Sequence, residues 1–305
     1  MALDIYQAVT DRILELLNQG TVPWRQPFKR GSGGESGMPK NLISDKEYRG
    51  INVFLLAVTA MLESYDSPYW LTFKQAKERN AHVRKGEKGS LVIFWKQYAT
   101  TNKMTGDPVK VPVMRHYTLF NTSQCEGLEL PAAPEAKVEP DTQETPFEPI
   151  VEAMAIVDGY KDAPRIEHQS GRAFYRSSED LVSLPEPREF VDRESYYATL
   201  FHELVHSTGH SKRLDRGIDT KLAPFGSSDY SKEELVAEMG AAFLAAASGI
   251  SPPTIEQSAA YIESWIKKLK GNKKLVVQAA GAGQKAADWV LGGHFDTQED
   301  ARPCQ

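Results

Sequence analysis

The stretch from Glu126 to Pro149, EGLELPAAPEAKVEPDTQETPFEP, constrains this chain more than any other feature of the sequence. It contains Pro131, Pro134, Pro140, Pro146 and Pro149, seven carboxylates against the single Lys137, and no hydrophobic period. Such a segment buries too little apolar surface to offset the entropy of ordering it, so it reads as an extended linker. The chain is therefore expected to form two domains, residues 1–125 and 150–305, joined by 126–149, which suits its length of 305 residues. No internal repeat is visible on either side.

Both domains read as α+β. In the first, Ile5, Val9, Ile13, Leu16 and Leu17 recur at helical spacing, and Gly20 supplies a stop. Pro23 and Pro27 break the chain around Trp24, and GSGGESG at 31–37 reads as a flexible loop. Further helices are expected over Gly50 to Leu62 and Thr72 to Asn80. Two strands, Leu91 to Tyr98 and Val109 to Phe120, would be joined by a turn at Thr105-Gly106-Asp107. In the second, a helix over Ile150 to Asp158 and short strands at Arg172 to Tyr175 and Asp180 to Leu184 precede a mostly helical remainder. Its helices are expected at about 193–208, 232–248, 256–270 and 273–291.

Charge divides the chain in the same way. Residues 1–125 carry 17 Lys and Arg against 11 Asp and Glu, a balance of +6 inside an overall −5. A basic first domain beside acidic neighbours is suited to a polyanion. No apolar run approaches the roughly 18 residues a membrane helix needs, so no membrane partner is expected. Asp4 occupies the place of a signal peptide's basic region, and the only cysteines, Cys125 and Cys304, cannot form a disulfide framework. The expected location is the reducing cytoplasm.

One motif names its chemistry. Phe201-His202-Glu203-Leu204-Val205-His206 contains HExxH. On a helix, residues four apart share a face, so His202 and His206 can direct imidazole nitrogens at one ion. A divalent metal there would acidify a water, and Glu203 beside it is placed to remove the proton as general base. A catalytic zinc needs a third protein ligand. Lys212 fills the slot that the longer pattern HExxHxxGxxH gives to a histidine, while Gly209 is expected to end the helix before His210. In Glu233-Glu234-Leu-Val-Ala-Glu238, Glu234 is the first choice of ligand, with Glu238 and His210 as alternatives. An acid four residues on, Glu238, could instead support a ligating histidine. Ser231 and Glu234 also spell a capping box, which would engage Glu234 at its own helix start. Glu233 reads as a solvated helix-start acid. Tyr230 and Tyr261 are conceivable oxyanion donors, although aromatic residues on helices are more often core.

In the first domain Trp70, Phe73, Phe94 and Trp95 alternate with Lys74, Lys77, Arg79, Arg84, Lys85, Lys88 and Lys96. Aromatic faces beside basic side chains suit single-stranded nucleic acid, bases stacking on rings and phosphates meeting charge. The candidate contacts are Trp70, Lys74, Arg84, Lys85, Lys88 and Trp95.

Taken together, the motifs resemble the ArdC-type antirestriction proteins of conjugative plasmids. In the first domain the similarity rests on Val22-Pro-Trp-Arg25, Pro39-Lys-Asn41, Tyr48-Arg-Gly-Ile-Asn52, Tyr69-Trp-Leu-Thr72, Val83-Arg-Lys-Gly86 and Phe120-Asn121. In the second it rests on Arg193, the HExxH itself, Thr208-Gly-His210, Arg213-Leu214, Glu233 to Glu238 and Tyr261-Ile-Glu-Ser-Trp265. The resemblance covers nearly the whole chain except the linker. It implies a single-stranded DNA-binding domain joined to a zincin-like metallopeptidase domain of the HExxH-plus-Glu type, with zinc, or else manganese, as the metal. It also implies protection of incoming plasmid DNA during conjugation. It leaves open whether a protein substrate is cut, whether the chain merely coats DNA around a non-catalytic metal site, or whether the basic domain binds a protein.

Overall fold

The computed structural model describes residues 4–25, 38–101, 104, 106–130, 150–218, 228–250 and 259–293. The loop at 31–37, Pro27, Thr105, most of the linker (131–149), residues 256–258 and Cys304 lie outside the described residues. Cα proximity divides the chain into two units. Residues 4–11 and 38–130 form one, and residues 12–25 and 150–293 the other. The turn at Pro23–Arg25 thus belongs with the second unit, although it precedes the linker in sequence by a hundred residues.

The first unit contains the start of helix α1, Ile5–Asn18, as the spacing of its apolar residues predicts. A four-stranded sheet follows, built from β1 (Lys40–Asn41), β2 (Tyr69–Thr72), β4 (Ser90–Thr101) and β5 (Pro108–Asn121) in the order β1-β2-β5-β4. Helix α2, Ile51–Leu62, packs beside β4, and α3, Phe73–Glu78, follows β2 directly. A second ribbon pairs β3 (His82–Val83) with β6 (Cys125–Glu126). The register of β4 with β5 runs from Ser90 opposite Leu119 to Thr101 opposite Pro108, so the expected hairpin is present and longer than predicted. Strand β2 has no counterpart in the expectation. It is four residues long and lacks alternation, and Thr72 ends it while capping α3 through a reciprocal box with Gln75. The outer edge of β4 is closed by a side chain. Asn52 donates to the Ile93 carbonyl at 2.7 Å and accepts from the Ile93 amide at 2.8 Å, substituting for a neighbouring strand.

The second unit opens, after its N-proximal segment, with α4 (Val151–Gly159) and a sheet of β7 (Arg165–His168), β8 (Phe174–Arg176) and β9 (Leu181–Leu184), ordered β7-β9-β8. Among the described residues four helices follow: α5 (Arg193–Ser207), α6 (Ser228–Ala247), α7 (Ala259–Gly271) and α8 (Leu275–Val290). Two glycines set how closely α6 sits against its neighbours. A Cβ on Gly240 of α6 would lie 2.7 and 2.8 Å from the Val205 methyls of α5. One on Gly283 of α8 would lie 2.9 Å from the Gly240 amide and 3.0 Å from the Val236 carbonyl. Among the described residues, no helix is long and apolar enough to cross a membrane.

Because the atoms facing Gly283 are backbone, they cannot rotate away. Gly283→Ala should lower stability by about 1–3 kcal/mol, an overpacking cost. Chemical denaturation checks this, and an unchanged midpoint would show that α6 and α8 can part freely.

Candidate metal centre

Helix α5 starts where Asp192 accepts a hydrogen bond from the Ser195 amide at 2.7 Å. Tyr196, Leu200, Phe201, Leu204 and Val205 are buried, which fixes the rotation of the helix and leaves His202 and His206 half-buried on a flank. That flank faces a cleft of about 860 Å³ also lined by Tyr230, Glu233 and Glu234 of α6 and by β8. The two imidazole Nε2 atoms stand 3.1 Å apart. Glu234 places Oε2 3.7 Å from His202 Nε2 and Oε1 3.6 Å from His206 Nε2. Ligand atoms at about 2.0–2.1 Å in a tetrahedral zinc site are separated by about 3.3 Å. The donors of His202, His206 and Glu234, all within 4.8 Å of one another, therefore fit a single divalent ion.

Charge favours the same conclusion. Glu203 is 7% exposed and has no cationic partner other than histidine among the described residues. Burial acts to lower the His202 pKa, yet the bond to Glu234 and the charges of Glu203, Glu238 and Glu234 outweigh it and raise the value. Burial acts in turn to raise the Glu234 pKa, but His202, His206 and the Tyr230 hydroxyl pull it below the ordinary carboxylate range. A divalent cation would meet two nitrogens and a carboxylate already poised for it.

The alternatives to Glu234 are occupied elsewhere. Glu238 accepts from Arg25 Nε at 3.0 Å and Arg25 Nη2 at 2.5 Å, and from the Tyr261 hydroxyl at 3.1 Å. The Arg25 guanidinium also stacks 4.1 Å from the centre of the Tyr261 ring. Glu238 therefore acts on His202 through its charge and is not among the three donors that lie together, and the Tyr261 hydroxyl donates to Glu238. His210 is 9% exposed and its Nδ1 accepts from the Lys212 amide at 3.1 Å, because α5 ends at Ser207 as Gly209 leads one to expect. The capping-box reading of Ser231 and Glu234 is corrected as well. Helix α6 already begins at Ser228, so Ser231 is buried within it and Glu234 is not engaged at a helix start.

Glu233 requires the largest correction. It is not a solvated acid. Its carboxylate lies 3.4 Å from His206 Nδ1 and is clamped by Arg216, with Nη2 at 2.6 Å and Nε at 3.0 Å. Burial would raise its pKa, and His206 and Arg216 lower it. An acid on the far nitrogen of a ligating histidine fixes the ring's orientation and tautomer. Arg216 is itself anchored by the Val205 carbonyl at 2.9 Å and Thr208 Oγ1 at 2.6 Å, passing where a Cβ on Gly209 would lie 3.0 Å away. The adjacent Glu233-Glu234 pair was the available signal for the acid. Nothing in the spacing pointed to Arg216 or Arg25.

The candidate nucleic-acid residues fall less well together. Trp70 is 1% exposed, edge-on to Tyr65 in the central part of the sheet, so it is a core residue without a face for a base. Trp95 is half-buried and contacts Tyr6. Lys74 and Arg84 are exposed but pair with Glu78 and Glu87 on their own segments. Lys85 and Lys88 are exposed.

An HExxH helix and a glutamate from a following helix, beside a small sheet, define a zincin-like metal centre. The description of a zincin-like metallopeptidase matches residues 155–282, and that of the N-terminal domain of anti-restriction factor ArdC matches residues 3–120. Two crystal structures of the antirestriction ArdC protein from the R388 plasmid, one metal-free and one Mn(II)-bound, are similar with TM-scores of 0.74 and 0.72. Identity is 38% over 98% of both chains for the first, and 36% over 99% of this chain and 100% of that one for the second. The uncharacterized protein y4eC of Sinorhizobium fredii is 33% identical, over 97% of this chain and 94% of its own length. Two DNA primases TraC of Escherichia coli are 36% identical over 94% of this chain, which spans only 27% and 20% of their lengths. The chain belongs to the ArdC antirestriction protein family.

Glu233→Gln should weaken divalent metal binding about 10- to 100-fold while leaving the fold intact, measured by calorimetric titration; unchanged affinity would remove its role as orienter of His206. The pH dependence has a defined sign. Without metal, the raised pKa of His202 contributes stability below about pH 6.5 that is lost as pH rises through its folded value. The lowered pKa values of Glu233 and Glu234 contribute stability above about pH 4.3 that is lost as pH falls through theirs. Metal requires neutral imidazole, so its stabilising effect should instead grow as pH rises. Thermal denaturation from about pH 5.5 to 8.5 should therefore show the gap between metal-loaded and metal-free protein widening with pH; a constant gap would contradict histidine ligation.

Proposed function

We propose that this chain is a cytoplasmic antirestriction protein that binds single-stranded DNA through its N-terminal domain, residues 1–125, and protects plasmid DNA entering a cell by conjugation. In this reading 126–149 is the linker, and residues 150–305 hold one divalent ion, zinc or else manganese, on His202, His206 and Glu234. The observation that carries it is the end-to-end similarity to the R388 antirestriction ArdC protein, covering 98% of both chains. Similarity to DNA primases TraC and the positive balance of the first 125 residues support a nucleic-acid partner.

Bound there, the ion would act as a Lewis acid and lower the pKa of a water by several units. The chain supplies the rest. Glu203, placed one residue after the first histidine and nearly buried, is the base that takes the proton and can return it to a leaving amine. Glu233 and Arg216 hold His206, and Tyr230 holds Glu234, so both ligands keep their aim as the site is used.

Two measurements test this. Fluorescence anisotropy at two salt concentrations should show the full chain binding a labelled single strand more tightly than a duplex, and weakening with salt; no binding to either would remove the DNA reading. Glu203→Gln should keep metal affinity within about twofold yet lower hydrolysis of a labelled peptide library by at least about 100-fold. Hydrolysis at the original rate would remove Glu203 as base. Full protection of DNA from a restriction endonuclease by that variant would leave protection to DNA binding alone.

A further inference from the structure

The long hairpin of β4 and β5 carries a feature that the candidate contacts read from the sequence do not include. Ser90–Thr101 and Pro108–Asn121 contain no Asp or Glu, but do contain Lys96, Lys110 and Arg115. Residues directly opposite in an antiparallel pair point to the same side. The register sets Tyr117 opposite Val92, Arg115 opposite Phe94, Val113 opposite Lys96 and Val111 opposite Tyr98. One face therefore presents Phe94, Lys96 and Tyr98 of β4 beside Arg115 and Tyr117 of β5.

That face combines rings and cations in contact. Lys96 Nζ lies 5.4 Å from the Tyr98 ring centre, and the Arg115 guanidinium lies 5.6 Å from it and donates to the Tyr98 hydroxyl at 3.2 Å. Neither Lys96 nor Arg115 pairs with a carboxylate among the described residues. Tyr117 is 38% exposed, and Val109 and Val111 beyond it are 39% and 42% exposed on the same side. The strip is also held in place at its inner end. Phe94 sits 5.5 Å edge-on to Tyr117 and 6.2 Å from the buried Tyr48, and Asn52 fixes the strand edge at Ile93. The other face is different in kind, since Trp95 there turns toward Tyr6 of α1.

We propose that this face of the β4–β5 hairpin is where the single strand of DNA lies, its bases stacking on Tyr98 and Tyr117 and its phosphates meeting Lys96 and Arg115. The assignment rests on the single-stranded DNA reading given above. Its ground is complementarity: an acid-free ribbon whose cations meet no carboxylate among the described residues suits a polyanion, and half-exposed rings suit bases that are not already stacked in a duplex. A purely basic surface would bind either form. The rings supply the preference for the single strand.

The test uses the full chain and a labelled oligo(dT) over a range of salt. Lys96→Gln with Arg115→Gln should weaken binding at least about tenfold and lower the slope of log affinity against log salt by about 0.7 per charge removed. Tyr98→Leu with Tyr117→Leu should weaken it at least about fivefold with little change in slope. Lys267→Gln with Lys270→Gln, exposed on α7 of the second unit, should change it less than about twofold. Hairpin variants that bind like the wild type, or a larger loss from Lys85→Gln with Lys88→Gln than from the hairpin pair, would overturn the placement while the DNA reading stood. A wild-type chain that binds no single strand would sink both. Equal loss for single strand and duplex in the charge variant, with none in the tyrosine variant, would overturn the stacking and leave a generic basic patch. Photo-crosslinking of wild-type protein to an oligonucleotide carrying 5-iodouracil needs no variant to fold. Crosslinks at Tyr98 or Tyr117 support the placement, and crosslinks confined to residues 73–88 overturn it.

Discussion

Four carboxylates, Glu203, Glu233, Glu234 and Glu238, meet two imidazoles in the second unit, and the centre is organised by how each negative charge is answered. Uncompensated charge in a half-buried cleft is costly, so each carboxylate must find a cation or remain within reach of one. Arg216 takes both oxygens of Glu233. Arg25 takes both oxygens of Glu238. What remains is Glu234, directed at His202 and His206, and Glu203 beside them. The two arginines therefore decide which of the acids on α6 is left to face the Nε2 atoms of both histidines, Glu233 remaining on the far nitrogen of His206. A divalent cation is the group that would complete the balance.

This allocation depends on packing that brings α6 within side-chain reach of α5. Gly240 lets α6 lie against Val205, one residue before His206, and Gly283 lets α8 press on α6 from the other side. Gly209 does the same for Arg216, whose guanidinium crosses just past the end of α5. Larger residues at these points would separate the donors of Glu234 from the histidines by the tenths of an ångström on which a metal site depends. The small residues of the helix crossing and the charged residues of the cleft are parts of one construction.

Much of this was legible in the sequence wherever the signal was local. The HExxH spacing fixes both histidines and Glu203 because a helix repeats every 3.6 residues, and the buried stripe of Leu200 and Leu204 sets which flank they occupy. The β4–β5 hairpin announced itself in two long apolar-rich runs. Non-local features were not legible. Arg25 reaches Glu238 across 213 positions, and the pairing of Arg216 with Glu233 depends on how the turn after α5 folds back. Trp70 showed the limit of composition. An aromatic amid lysines reads as a stacking surface, yet it lies in the short central strand β2 and fills the core, while the half-exposed tyrosines lie on the hairpin. Which face of a strand meets water depends on what packs against it, and that is a tertiary fact.

The identity of the third ligand is the central claim, and anomalous X-ray diffraction from metal-loaded crystals tests it most directly. The account predicts one ion per chain, bonded at about 2.0–2.2 Å to Nε2 of His202, Nε2 of His206 and a carboxylate oxygen of Glu234, with Glu238 still held by Arg25. An ion ligated by Glu238 or His210 instead, or one lying away from the two histidines, would contradict it.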